Sequence, residues 1–290
     1  MRFAKYHALG NAYLVVDAAE APAADLVRRL CDRRVGIGSD GVLHLRSAGA
    51  GEPAHLRVFN PDGSEAQTSG NGVRIAARWL WDEGLARERV VWVRTAARTY
   101  RCDVAGDGGS VRVAMGRASF HSSDVPMTGP AREVVAEPLA LAGRLLRVSA
   151  VSMGNPHAVI HTDIPADAVI AHWGPLLEHH PWFPQRTNVQ VVNVIDRGSL
   201  RVAVWERGAG LTAASGSSAA AAVAATRRLG LCDAHVAVAM PGGCLEVRVE
   251  PSFDVLVRGA VERVATGTLA TEWVAGATQG AIGRPSRTDR

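Results

Sequence analysis

Two short stretches, Ser69-Gly70-Asn71-Gly72 and Ser215-Gly216-Ser217-Ser218, each stand directly before a run of apolar residues. The first leads into residues 73–80 and the second into residues 219–223. A serine followed by glycine suits a helix N-terminus, where the first backbone N–H groups have no partner inside the helix. Two such N-termini facing each other would form a strong anion-binding site.

A second pair of motifs indicates that the chain is duplicated. Gly10-Asn11 precedes the apolar run 13–16, and Gly154-Asn155 precedes the run 156–160. The Gly-Asn pairs are 144 positions apart (154 − 10) and the Ser-Gly pairs are 146 apart (215 − 69). Either dipeptide alone is common in turns. Their recurrence in the same order at nearly the same offset predicts an internal repeat of about half the chain.

Length and composition limit the possible functions. A chain of 290 residues can build a large core and two domains. The net charge is only +4 with scattered basic residues, so no nucleic-acid partner is expected. The four cysteines have neither metal-ligand nor disulfide spacing, which favours a reducing, cytoplasmic setting. No stretch of about 18 apolar residues exists, so we expect no membrane span.

The pattern of elements predicts an α/β (α+β) architecture of two similar halves. Residues 23–32 have helical spacing, and the two signature helices run to about residue 83 and residue 230. Most other segments alternate as strands, so each half is predicted to be mostly antiparallel strands around one apolar central helix. The turn-rich segment 118–134 is the predicted crossing. The domains are therefore expected to be 1–118 (plus about 264–275) and 119–263, with 276–290 as a tail.

Two motifs superficially indicate cofactors. Gly36-Ile37-Gly38-Ser39-Asp40-Gly41 has the glycine spacing of a dinucleotide fingerprint, but a strand follows it where that motif needs a long helix. His179 and His180 are adjacent, so their side chains diverge on a helix, and no third zinc ligand is suitably spaced. We therefore expect no cofactor and no metal.

The chain resembles the diaminopimelate epimerases, which are cofactor-independent amino-acid epimerases, in a series of motifs spread over residues 1–270. In chain order these are His7-Ala8-Leu9-Gly10-Asn11, Gly36-Ile37-Gly38-Ser39-Asp40-Gly41, Phe59-Asn60-Pro61-Asp62-Gly63-Ser64-Glu65-Ala66, Gly70-Asn71-Gly72-Val73-Arg74, Met153-Gly154-Asn155-Pro156-His157, Arg186-Thr187-Asn188-Val189, Trp205-Glu206-Arg207-Gly208-Ala209-Gly210 and Met240-Pro241-Gly242-Gly243. The resemblance implies a pseudo-symmetric two-domain fold with the active site between the domains. It also implies a cytoplasmic homodimer acting in amino-acid (lysine) biosynthesis.

The sequence departs from this family at the two residues that carry its chemistry. In the family, two cysteines face each other across the substrate Cα, and one removes a proton while the other delivers one. Ser69 and Ser215 stand at those positions, and a hydroxyl is a weak base unless another group activates it. Each serine could instead cap its helix or relay a proton. Further departures are Ala12 for Asp, Leu211 for Glu and Ser218 for Gly.

The resemblance also nominates the remaining site residues. His157, with an unperturbed pKa near neutral, is the candidate general base now that the thiols are absent. Glu206 is expected to lie near the substrate amine and the reacting carbon, and with His157 it is a candidate acid/base group. Arg207 would meet a distal carboxylate. The full substrate-binding set implied is Asn11, Asn60, Gly70, Asn71, Asn155, Asn188, Arg207, Gly216 and Ser217.

Three interpretations stay open at this stage. The chain is an epimerase inactivated by engineering, a natural relative with different proton chemistry, or a binding protein for an amino-acid-like ligand that has lost turnover. The phenazine-biosynthesis isomerase, a relative by fold, works without the cysteine pair, which supports the second by analogy. The changes at Ala12, Leu211 and Ser218 also favour natural divergence. A titratable group within reach of the substrate Cα would distinguish an enzyme from a binding protein.

Overall fold

The computed structural model describes residues 1–46, 52–66, 68–86 and 88–279. Its helices are α1 Ala24–Cys31, α2 Gly70–Asp82, α3 Ala166–Glu178, α4 Gly216–Arg228 and α5 Thr271–Gln279. Its strands are β1 Arg2–Ala8, β2 Asn11–Val16, β3 Val42–Arg46, β4 Ala54–Phe59, β5 Glu65–Ala66, β6 Val90–Arg94, β7 Thr99–Val104, β8 Ser110–Arg117, β9 Glu137–Leu141, β10 Arg144–Ser152, β11 Pro156–His161, β12 Asn188–Asp196, β13 Ser199–Glu206, β14 Gly210–Thr212, β15 His235–Met240, β16 Gly243–Val249, β17 Asp254–Ala260 and β18 Glu262–Thr268.

The strand pairing of the first half recurs in the second. In the first half, β1–β2 is antiparallel, β2–β3 parallel, β3–β4 antiparallel and β4–β6 parallel. In the second half, β10–β11, β11–β12, β12–β13 and β13–β15 follow the same sequence of directions. The helices α2 and α4 occupy equivalent places in the two series. The predicted internal repeat and the predicted α+β fold of two similar halves are therefore confirmed.

Two strand pairings join the halves. β8 pairs antiparallel with β17, so the last hairpin of each half shares one hydrogen-bonded sheet. β18 crosses back and pairs antiparallel with β1, as β9 pairs with β10. The return of β18 supports assigning the segment after about residue 264 to the first domain. The boundary between residues 118 and 119 stays a prediction.

The two signature helices are buried in the cores, as their apolar faces predict. In α2, Val73, Ile75, Ala76 and Ala77 have no solvent exposure, and in α4 the same holds for residues 219–225. The small side chains of α4 let the surrounding sheet approach closely, and α4 contacts β10, β11, β16 and β17. Both helix axes are thereby fixed, and with them the positions of their N-terminal residues.

Two segments differ from the sequence-based expectation. The predicted tail 276–290 begins inside α5, which runs to Gln279 and packs its first residues near α1. Residues 280–290 lie outside the described residues. The strand β9 was not predicted, since the chain before it is turn-rich and the strand itself has only five residues.

We predict that Gly174→Ala lowers the free energy of unfolding by about 1–3 kcal/mol, because a Cβ there would lie 2.6 Å from Trp205 Cγ. In an unobstructed helix, Gly→Ala raises the free energy of unfolding by about 1 kcal/mol. The sign of the measured change therefore shows whether the clash with Trp205 outweighs this gain. Chemical denaturation measures it. The matched control repeats the substitution in a Trp205→Gly background, which removes the Trp205 Cβ, Cγ and Cδ2 atoms nearest to the added Cβ, so the ordinary helical gain should return.

Candidate active site

The N-termini of α2 and α4 lie against each other. A Cβ added at Gly70 would be 3.6 Å from Gly216 Cα. The preceding residues, Ser69 and Ser215, have nearly the same extended backbone, with φ −143° in both and ψ 120° and 125°. The unpaired N–H groups of the two first turns therefore lie close together, which is the arrangement that binds a carboxylate.

A buried cation lies beneath these N-termini. Arg74 is 1% exposed, and a Cβ at Gly216 would lie 3.1 Å from its Nη1. Its Nη2 donates to Asn71 Oδ1, its Nε has no hydrogen-bond partner, and no ion pair to Arg74 occurs among the described residues. Burial lowers the pKa of Arg74 to about 10, so the guanidinium stays charged at neutral pH. It adds to the positive potential of the two helix ends.

Arg74 is a site residue that the sequence did not single out. In the chain it looks like one polar residue in an apolar helix. The available signal is its position four residues after Gly70, where the helix is otherwise apolar and buried. A charged residue at such a position must have a polar environment or an anionic ligand.

Asparagine side chains connect the two halves across the site. Asn71 Nδ2 donates to Asn11 Oδ1 at 3.1 Å and to the Ala214 carbonyl at 3.2 Å. Asn71 is buried and Asn11 is half-buried. These bonds join β2 and α2 of the first half to the residue before Ser215 in the second half. They hold the two N-terminal turns in register.

The two serines have different partners. Ser69 Oγ accepts from the Gly72 N–H at 3.1 Å, which is the expected helix cap, and lies 3.2 Å from Tyr13 Oη. Ser215 makes no side-chain cap to its own helix. Its hydroxyl lies close enough to the Glu206 carboxylate to lower the pKa of that group. The capping role predicted for both serines therefore holds for Ser69 alone.

Glu206 is a carboxyl group beside Ser215. It lies at the end of β13, and Thr212 Oγ1 donates to its Oε2 at 3.2 Å. Burial raises the pKa of Glu206 above its ordinary value, and the hydroxyls of Ser215 and Thr212 oppose that rise. A carboxyl group with a raised pKa is better suited to accept and return a proton near neutral pH than an exposed one.

His157 is completely buried on β11. Its Nε2 lies 3.0 Å from Asn155 Oδ1, and Gln190 Nε2 donates to Ser218 Oγ at 3.0 Å. His157 Nδ1 and Gln190 Oε1 are both buried without a hydrogen-bond partner in the described structure. Rotating the Gln190 amide by half a turn would pair its NH₂ group with His157 Nδ1 and its oxygen with the Ser218 hydroxyl. Ser218 thus supports the histidine.

The near-neutral pKa expected for His157 is wrong for the folded protein. Burial lowers the pKa of His157 to about 3, and the Arg207 charge adds to that effect while the Gln190 side chain opposes it. The imidazole is therefore neutral at physiological pH, and charging it inside this site is costly. Its observed hydrogen bond to Asn155 makes it a rigid part of the site.

The remaining predicted site residues divide into those near the site and one apart from it. Asn188 Nδ2 donates to the Pro156 carbonyl at 2.8 Å, and Asn188 Oδ1 accepts from the Arg207 N–H at 3.0 Å. The Arg207 side chain is exposed, and Ser217 is half-buried in the first turn of α4. Asn60 is exposed and bonds Ser64 Oγ at 3.0 Å within its own turn. No contact described here brings Asn60 to the other residues.

The three buried cysteines are poorly suited to the acid–base role that the family resemblance assigns to two thiols. Burial raises the pKa of Cys31, of Cys102 and, to about 11, of Cys232, so these three stay protonated. Cys244 is exposed at the start of β16.

Within the described ranges there is also no cluster of three or more potential metal ligands, and no helix is long and apolar enough to cross a membrane.

The family model for diaminopimelate epimerase matches residues 3–121 and 149–264. The chain belongs to the diaminopimelate epimerase family. It is 43% identical to diaminopimelate epimerase 2 of a Nostoc strain, over 94% of this chain and 96% of that protein. It is 41% identical to the diaminopimelate epimerase of Desulforudis audaxviator, over 94% and 99%. As a family member it is an epimerase-like enzyme.

Solved structures of other enzymes share the fold. A hydroxyproline epimerase from Agrobacterium vitis superposes with a TM-score of 0.68 at 16% identity, covering 96% of this chain and 98% of that one. A phenazine biosynthesis protein of the PhzF family from Bacillus anthracis gives 0.63 at 13% identity, covering 93% and 99%. At such identities the likeness shows the fold alone.

We predict that His157 makes stability fall on acidification. The unfolded histidine binds a proton below about pH 6.5, whereas the folded one does so only near pH 3, so stability is lost as pH falls through that window. His157→Asn should reduce the slope of unfolding free energy against pH by up to about 1.4 kcal/mol per pH unit. Urea denaturation at several pH values measures it. His161, whose pKa burial lowers to about 4, keeps its own contribution in both proteins. An unchanged slope would contradict the assignment.

Proposed function

We propose that this chain is a cofactor-independent isomerase that moves a proton at the α-carbon of diaminopimelate or a related amino acid. One observation carries the proposal above all. The Glu206 carboxyl, with a raised pKa, lies beside Ser215, the residue that precedes Gly216 where the α2 and α4 N-termini meet. A titratable group therefore lies beside the position of a family thiol, and a site that only binds a ligand does not need one.

The substrate carboxylate would bind at the joined helix ends. Backbone N–H groups of Gly70, Asn71, Gly216 and Ser217 supply donors there, and Arg74 supplies a full positive charge beneath them. In the family pattern the amine would lie near Glu206, and a distal carboxylate would meet the exposed side chain of Arg207. His157, held by Asn155, and Asn188 would complete the polar wall.

The reaction would move one proton without a cofactor. The α-C–H bond breaks as its proton passes to Ser215 and the Ser215 proton passes to Glu206. The electron pair delocalises into the substrate carboxylate, where the helix N-termini and Arg74 stabilise the added charge. A new C–H bond then forms on the opposite face with the Ser69 proton. His157 stays neutral throughout and orients the site, in place of the general base first expected.

Two alternatives have observations of their own. The likeness of fold to phenazine biosynthesis proteins and to methylitaconate-delta-isomerase favours a divergent non-thiol isomerase with another acid as substrate. The capping hydrogen bond at Ser69 favours a homologue, natural or engineered, that binds an amino acid without turnover. A cytoplasmic homodimer, usual in the family, is part of the proposal in every case.

Proton exchange in D₂O tests the proposal. The protein is incubated with the LL and meso isomers of diaminopimelate, and the α-proton signal is followed by NMR. We expect exchange in the protein as it stands, and its loss in Glu206→Gln. The double variant Ser69→Cys/Ser215→Cys is the matched control. Exchange by this variant alone would show an epimerase pocket without serine chemistry, and exchange by neither would exclude diaminopimelate as substrate.

We predict that Arg74→Met weakens binding of meso-diaminopimelate about tenfold, because a buried positive charge is lost beneath the carboxylate. Its cost in stability should be small, since the guanidinium has no carboxylate partner among the described residues. Arg78→Met, one turn along the same helix, is the control: it breaks the ion pair with Asp82 and should leave affinity unchanged. Calorimetric titration and denaturation measure both. Equal affinities in the two variants would contradict a role for Arg74.

A further inference from the structure

Tyr13 is a buried polar residue that the proposed reaction has not used. It lies on β2, is 7% exposed, and its Oη is 3.2 Å from Ser69 Oγ. Space for its ring exists because residue 41 is glycine, where a Cβ would lie 2.6 Å from Tyr13 Cε1. The hydroxyl therefore contacts one of the two serines that flank the proposed reaction centre.

The internal repeat gives Tyr13 a counterpart in the second half. Tyr13 follows Gly10-Asn11 as His157 follows Gly154-Asn155, and the two residues are 144 positions apart (157 − 13). They occupy equivalent places on β2 and β11. The chain thus places a group able to donate a proton at the first-half position equivalent to that of His157.

The pKa of Tyr13 is also affected by a charged group in the second half of the chain. Burial raises the pKa of Tyr13, the hydrogen bond with Ser69 lowers it, and the negative charges of Glu206 and Asp40 raise it further. The phenol is therefore protonated at neutral pH. Ionisation of Glu206 in the second half therefore favours the protonated phenol of Tyr13.

Hydrogen-bond counting fixes the direction of the Tyr13–Ser69 bond. A serine hydroxyl has one proton and two acceptor lone pairs. The Gly72 N–H occupies one lone pair of Ser69. If Tyr13 donates into the second, the Ser69 proton is free to point into the cleft. If Ser69 donates to Tyr13, the buried phenol proton has no other acceptor among the described residues, which is the costlier arrangement.

The two serines consequently differ in whether they can accept or donate a proton. Ser215 lies beside the Glu206 carboxylate, which when ionised can only accept a proton, so the lone pairs of Ser215 remain to accept one from the substrate. Ser69 accepts from Gly72 and Tyr13, so its proton remains to be given. The two helix ends have similar backbones, but one side of the site accepts a proton and the other side donates one.

We propose that Tyr13 is a positioning residue that makes Ser69 the proton donor of the pair. The inference rests on the proposed function. As the new C–H bond forms, the Ser69 O–H bond breaks and the Tyr13 proton passes to Ser69 Oγ. Tyr13 ends one proton short and Glu206 one proton richer, and solvent returns the balance between them. Before this return the enzyme is set only for the reverse transfer, and after it the enzyme again removes the α-proton only from the Ser215 face.

Tyr13→Phe tests the inference, since it removes only the hydroxyl. The matched control is Tyr100→Phe, because Tyr100 Oη lies 3.0 Å from Thr68 Oγ1, one residue before Ser69. With meso-diaminopimelate in D₂O, we expect kcat for exchange to fall about tenfold or more in Tyr13→Phe with little change in KM, and no comparable fall in the control. A fall of the same size in both variants would overturn the inference.

A double-mutant cycle separates positioning from packing. The thiol introduced by Ser69→Cys carries its own acidic proton, so Tyr13→Phe should cost less exchange activity in that background than in the serine protein. Equal losses in both backgrounds would mean that Tyr13 only supports the fold.

A titration without substrate keeps the inference testable if the proposed function fails. In Ser69→Cys, a phenol O–H donated to sulfur should favour the thiolate, so adding Tyr13→Phe should lower the ratio of thiolate to thiol about tenfold. The difference in thiolate absorbance from the parent protein removes the signal of the native cysteines. An unchanged midpoint would overturn the inference. Absence of exchange in every variant, with the midpoint shifted, would overturn only the proposed function.

Discussion

The contact between the N-termini of α2 and α4 is the constraint on which the rest of the structure depends. Gly70 and Gly216 let the two backbones meet, and Arg74 lies buried beside them without a carboxylate partner in the described structure. Two positive helix ends and a cation repel one another, so the arrangement is held by the cores around both helices and by the Asn71 bridge. An anionic ligand removes that repulsion. The fold therefore favours the binding of a carboxylate where its two halves meet.

The two halves repeat the backbone fold, but they differ in the titratable side chains at equivalent positions. Ser69 and Ser215 share backbone angles, yet one is bonded to Tyr13 and the other lies beside Glu206. The first-half counterpart of Glu206 is Asn60, 146 positions earlier (206 − 60), and its side chain is exposed and bonded within its own turn. A symmetric scaffold therefore holds an asymmetric set of titratable groups. Such asymmetry suits a reaction that removes a proton from one face and adds one to the other.

The repeat and the meeting helix ends were predictable because they rest on local requirements. Ser and Gly mark helix starts and Gly-Asn marks turns, so motif spacing alone revealed both halves. What escaped prediction depends on contacts between distant residues. The pKa of His157 follows from burial among strands, and Tyr13 looked like part of an apolar run until Ser69, 56 positions away, proved to be its partner. Arg74 likewise appeared as one polar residue in an apolar helix.

The exchange of thiol for hydroxyl explains why those long-range partners matter. A free thiol ionises at a pKa of about 8.5, so a cysteine can itself hold and release the transferred proton. A serine cannot carry the charge, and the proton must pass through it to a group that can. Each serine in this chain has such a neighbour, a carboxyl with a raised pKa for Ser215 and a protonated phenol for Ser69. In the proposed reaction, serine in place of both thiols therefore moves the acid–base work one residue outward and leaves the carboxylate site at the helix ends in place.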